Sequence, residues 1–98
     1  MQQKALELHR RANTTLHLLP PKEANNVRKA FFSIEENADN LFELQGVQKF
    51  TGKALPNTYM IEATPSLRVI FQMVDDNHIL VQDIVHRDLF TLFKQDEK

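Results

Sequence analysis

"LRVIFQMVDDNHILVQDIVHRDLF", residues 67–90, contains two β-rich runs, LRVIFQMV and HILVQDIV, separated by the turn-prone Asp75, Asp76 and Asn77. In the first run, alternation places Leu67, Val69, Phe71 and Met73 on one side and Arg68, Ile70, Gln72 and Val74 on the other. The first set is the larger and more apolar, so it is assigned to the core, leaving Arg68 and Gln72 on the open face. In the second run Leu80, Gln82, Ile84 and His86 share one side and Ile79, Val81, Asp83 and Val85 the other, and neither side is cleanly polar. A turn centred on Asp76 and Asn77 brings Arg68 close to His86.

Outward from this hairpin, "TYMIEA" (58–63) alternates as a third strand, which gives an antiparallel meander. From Leu44 to Asn57 periodicity disappears, and Gly46, Gly52 and Pro56 predict a loop or short irregular strand carrying Lys49 and Lys53. Further back, Ala24, Val27, Phe31, Ile34, Ala38 and Leu41 recur at three and four residues, as do Ala5, Leu8, Ala12, Leu16 and Leu19 before Pro20-Pro21. Residues 1–19 therefore read as a first helix outright, with no strand before it, followed by a longer second helix. In the tail, Leu89, Leu92 and Phe93 suit a short closing helix. The expected fold is α+β: an N-terminal helical hairpin packed on a small antiparallel sheet, whose other face is free for function.

The chain has 98 residues, room for one domain spanning 1–98. It has no cysteine, which excludes a disulfide framework and thiolate metal sites. No apolar run approaches the roughly 20 residues of a membrane span, and the polar start lacks the apolar core of a signal peptide, so a soluble cytoplasmic protein is expected. The net charge of −1 gives no global attraction to nucleic acid, so any such attraction must be local.

The chemistry-bearing residues point to such a local site. Arg68, His86, Arg87 and the loop lysines Lys49 and Lys53 could grip a phosphodiester and stabilise the extra negative charge of a phosphorane-like transition state. Histidine transfers protons near neutral pH, and RNA supplies its own 2′-hydroxyl nucleophile, so no metal or other cofactor is expected. Taken singly, each residue also suits a merely solvated surface position; their convergence carries the functional reading. His9, His17 and His78 lack partners at metal-ligand spacing and are assigned to the surface, as are Glu35, Glu36 and Asp39. Asp75-Asp76 reads as turn chemistry, and "GVQKFTGK" (46–53) lacks the frame of a phosphate-binding loop.

The order of elements, with "LRVIFQMVDDNHILVQDIVHRDLF", resembles the RelE/ParE superfamily of toxin–antitoxin toxins over about residues 20–93. That family's pattern is a strand arginine in an R-V-x-[FY] setting, an acidic turn, an apolar strand and H-R-x-x-[YF]. The resemblance implies a ribosome-dependent mRNA endonuclease, with Lys49 or Lys53 as loop base or phosphate clamp and Arg68 on the scissile phosphate. It assigns proton transfer or charge stabilisation to His86 and Arg87. It also implies a cognate antitoxin as partner, with ribosome and mRNA as targets. Phe90 departs from the tyrosine many active members place there, and the family's usual first strand is not evident. Related branches act on DNA gyrase instead, which gives a second reading, a non-nuclease toxin or binding module of the same fold. A third is an unrelated α+β interaction domain whose hairpin edge pairs with a partner strand.

Overall fold

The computed structural model describes residues 5–41, 44, 46–50, 57–75 and 78–88. The chain opens with a strand, β1 (Ala5–Leu8), followed by α1 (Arg10–Leu18), α2 (Pro21–Glu36), β2 (Val47–Lys49), β3 (Thr58–Glu62), β4 (Leu67–Asp75) and β5 (His78–His86). The strands form one sheet in the order β1-β5-β4-β3-β2. β1 runs parallel to β5, whereas the other neighbours are antiparallel. This corrects two expectations: the helical hairpin does not begin the fold, and the sheet is mixed. Ala5 and Leu8 fit a helical stripe extrapolated from α1, yet ALEL also alternates, and pairing with β5 decides for the strand. The expected closing helix at Leu89, Leu92 and Phe93 lies outside the described residues.

Both helix starts follow from local chemistry. His9 caps α1, its Nδ1 accepting from the Arg11 amide at 3.1 Å. Pro21 occupies the first turn of α2, where its missing N–H costs nothing and its fixed φ suits the helix, while Glu23 adds a carboxylate near the positive end of the dipole. The apolar stripe of α2, Ala24, Val27, Ala30, Phe31 and Ile34, is buried, as are Ala12 and Leu16 of α1. No described helix is long and apolar enough to cross a membrane.

These stripes meet Leu67, Val69 and Phe71 of β4, Ile61 of β3 and Ile79, Val81 and Ile84 of β5 in the main core. The alternation in β4 is the one read from the sequence. In β5 the parity changes. Ile70 pairs with Asp83 but Phe71 with Val81, so Gln82 is an extra residue, a β-bulge. The bulge lets Ile79 and Val81 on one side of it and Ile84 on the other all reach the helices. Gln82 Nε2 donates to Gln72 Oε1 at 2.7 Å across the two strands. The far face is not simply open, because Phe50, Met60 and Ile70 form a second buried cluster there with Val85 packed against it.

Gly46, at the entry to β2, has φ 84°. A Cβ there would lie 3.4 Å from Glu62 Cβ, and the Glu62 amide donates to Gly46 O at 3.3 Å. Gly46→Ala is expected to cost about 1–2 kcal/mol through left-handed strain, read as a melting temperature lower by roughly 4–8 °C per kcal/mol. An unchanged melting temperature would show that this turn relaxes without cost.

Candidate functional site

The candidate site is built at one end of the β4–β5 hairpin, around the short loop that joins β3 to β4. Thr64 organises that loop, its Oγ1 accepting from the amides of Ser66 at 3.1 Å and Leu67 at 3.0 Å. Arg68 then folds back over it. Its Nη1 donates to the carbonyls of Thr64 at 3.0 Å, Leu67 at 3.2 Å and Pro65 at 3.3 Å. Its Nη2 lies 3.5 Å from Glu62 Oε2, and the side chain is only 15% exposed. Glu62 and Arg68 are cross-strand partners in the β3–β4 register, so their side chains share a face.

Arg87 reaches the same loop through its backbone, which donates to Ser66 O at 2.8 Å. Its side chain is exposed, with Nε 4.0 Å from Asp88 Oδ1. His86 Nδ1 accepts from the Asp88 amide at 3.2 Å and lies 3.5 Å from Asp88 Oδ2. Accepting at Nδ1 places the neutral ring's proton on Nε2, while a protonated ring faces a carboxylate. An exposed imidazole so held can exchange protons with a bound ligand.

Register separates some of what the sequence reading joined. His86 pairs with Leu67, whereas Arg68 pairs with Val85. Directly paired residues share a face, so His86 and Arg68 leave opposite sides of the sheet although they end at the same loop. The expectation that Arg68 lies close to His86 is corrected by this register: the end of β5 keeps the pairing that the turn sets with Asp75 opposite His78, which places His86 opposite Leu67. Lys49 lies farther away. It pairs with Tyr59 on the edge strand β2, with Nζ 5.9 Å from the centre of the Tyr59 ring. That ring stacks on Phe71 of the main core at 5.6 Å, so Lys49 belongs to the helix side. Lys53 and Phe90 lie outside the described residues.

Two side chains were not foreseen. Glu62 was treated only as a strand residue, yet pairing TYMIE with LRV across a short loop would have set it opposite Arg68. His78 is exposed, as its surface reading expects, but it lies between two carboxylates that the reading did not name: Glu7 Oε1 at 2.9 Å from Nε2 and Asp75 Oδ2 at 3.7 Å from Nδ1. It links the start of β5 to β1 and β4, away from the candidate site. Among the described residues no group of three or more His, Asp or Glu is placed to hold a metal ion.

No protein-family model matches the sequence, and no curated protein matches it. Solved structures match its fold. The RelE–RelB complex of Pyrococcus horikoshii matches with a TM-score of 0.68 at 17% identity, over 88% of this chain and 97% of that one. The YoeB dimer of Staphylococcus aureus gives 0.68 at 20% identity, over 84% and 94%. The DinJ–YafQ toxin–antitoxin complex of E. coli gives 0.70 at 11% identity, over 90% and 97%. The chain therefore has the fold of the RelE/ParE-like toxins, the superfamily its β4–β5 hairpin resembles in sequence.

Proposed function

We propose that the protein is the toxin of a type II toxin–antitoxin pair, held inactive by a cognate antitoxin and acting as a ribosome-dependent mRNA endoribonuclease. The observation that carries this reading is that Arg68, His86 and Arg87 all end at the β3–β4 loop, Arg68 on one face of the sheet and His86 on the other, within a fold matched over most of its length. In this reading Arg68 stabilises the charge that develops on the scissile phosphate, while the exposed His86 moves the proton. Arg87 adds positive charge beside them, and Lys49 holds the message farther along its backbone.

Glu62 sets the condition for this chemistry. Its carboxylate already answers Arg68, so a phosphate must displace or outbid it. Replacing the carboxylate by an amide keeps the shape and removes the competing charge. Glu62→Gln is expected to tighten binding of a short single-stranded RNA about three- to tenfold at low salt, followed by fluorescence anisotropy. Unchanged or weaker binding would take Arg68 out of the RNA site.

The same ion pair supports a second reading, a non-nuclease toxin of this fold directed at DNA gyrase, in which Arg68 only braces the loop. Induced expression with and without the adjacent reading frame tests the shared part of both readings. Growth arrest relieved by the neighbouring protein is expected. Inhibited supercoiling with intact cellular mRNA would select the second reading, and growth with no arrest would reject both.

A further inference from the structure

Cleavage of RNA by its own 2′-hydroxyl needs a base that takes the hydroxyl proton and an acid that protonates the leaving 5′-oxygen, one on each side of phosphorus in an in-line displacement. Neither Lys49 nor His86 stands where the base must be. Lys49 is on the helix side, over the Tyr59 ring that stacks on Phe71. His86 pairs with Leu67 and leaves the sheet on the face opposite Arg68. Glu62 does share the face of Arg68, as its cross-strand partner, with Oε2 3.5 Å from Nη2.

Access, orientation and charge all suit Glu62 to the part. Its side chain is 51% exposed where that of Arg68 is 15% exposed, so a ligand reaches the carboxylate with the loop intact. Nη1 of Arg68 is committed to the Thr64, Leu67 and Pro65 carbonyls, which leaves the Nη2 side, where Glu62 lies, to meet a phosphate. In a near-attack geometry the 2′-oxygen lies about 3–3.5 Å from phosphorus, so a phosphate held on that side brings the hydroxyl beside Oε2. A carboxylate that only opposed the phosphate would weaken binding and return nothing. One that accepts the proton loses its charge as the phosphorane gains charge, and Arg68 passes from the first to the second.

We propose that Glu62 is the general base of the cleavage, an assignment that rests on the nuclease reading and adds to it. The Glu62 carboxylate takes the 2′-hydroxyl proton as the 2′-oxygen bonds to phosphorus. The bond from phosphorus to the 5′-oxygen breaks, and that oxygen takes a proton from the protonated His86 ring, which leaves the other face of the sheet at the same loop. The products are a 2′,3′-cyclic phosphate and a 5′-hydroxyl, and water returns the proton from Glu62 to His86. The opposite faces of Glu62 and His86 thus match the opposite sides of phosphorus at which base and acid act.

Glu62→Gln in the full chain separates a base from a competitor for Arg68, with folding checked by thermal melting. Single-turnover cleavage on translating ribosomes is expected to fall about 100-fold or more, even though short RNA binds about three- to tenfold more tightly, because an amide cannot take the proton. Glu62→Asp, which keeps a carboxylate on a shorter stem, should recover part of the rate. Faster or unchanged cleavage by folded Glu62→Gln is the behaviour of a competitor and would overturn the inference. A message with a 5′-bridging sulfur at the scissile phosphate assigns the two roles, since a thiolate leaves without a proton. On it His86→Ala is expected to regain most of the rate it loses on the natural message, while Glu62→Gln stays about 100-fold slow. The reverse pattern would make Glu62 the acid and overturn the assignment. A native chain that leaves both messages intact would remove the nuclease reading and this inference with it, whereas native cleavage retained in Glu62→Gln would remove the inference alone.

Discussion

Arg68→Ala is expected to lower mRNA cleavage about 100-fold or more and to relieve growth arrest, the size of effect seen when one preorganised donor to a developing negative charge is removed. The substitution also deletes the bonds from Nη1 to the Thr64, Pro65 and Leu67 carbonyls, so some stability goes with it. A net loss of about 1–3 kcal/mol is expected from those bonds. Arg68→Lys separates the two roles. A lysine keeps the charge but not the planar fork that spans loop and phosphate, so it should recover part of the activity while leaving the loop weakened. Full activity in Arg68→Ala would confine Arg68 to bracing the loop.

The second large effect concerns the core. Phe71→Ala is expected to cost about 3–5 kcal/mol, because a wholly buried ring leaves a cavity as well as losing its transfer energy. The ring sits at the centre of the sheet, stacked on Tyr59 and paired across β5 with Val81. Against a total stability of about 5–15 kcal/mol for a small domain, such a loss should leave the variant partly unfolded at growth temperature. Thermal melting should fall by about 15 °C or more. A shift of only a few degrees would mean that the helices close over the vacated volume.

Much of this architecture could be read from the residues, for identifiable reasons. In β4 the strict alternation of Leu67, Val69 and Phe71 with Arg68 and Gln72 reflects a strand whose two faces meet different surroundings, and the structure keeps that division. The stripe of α2 is legible because Ala24, Val27, Phe31 and Ile34, all buried, recur at helical spacing. β1 was not, since four residues of ALEL satisfy either period and only the tertiary partner β5 chooses. The mixed faces of β5 hid a bulge: an inserted Gln82 leaves composition untouched yet reverses which residues meet the core. His86 and Arg68 end at the same loop, as the turn predicts, but on opposite faces, because His86 pairs with Leu67. The candidate site suffers most from such a slip, because chemistry depends on side-chain direction. The restraint that Glu62 places on Arg68 was missed because a cross-strand pair is a property of register, not of spacing along the chain.

The fold thus brings Arg68, His86 and Arg87 to the β3–β4 loop, with the Glu62 carboxylate beside the arginine. The nuclease claim is the one on which the proposed roles of Arg68, His86 and Arg87 all depend. The most direct measurement adds the purified protein to ribosomes translating a defined mRNA and maps new 5′ ends by primer extension, with Arg68→Ala in parallel. New ends within the codon being decoded, produced by the native chain and lost in the variant, are the predicted result. Intact message in the presence of folded protein, or cuts that persist in Arg68→Ala, would contradict it.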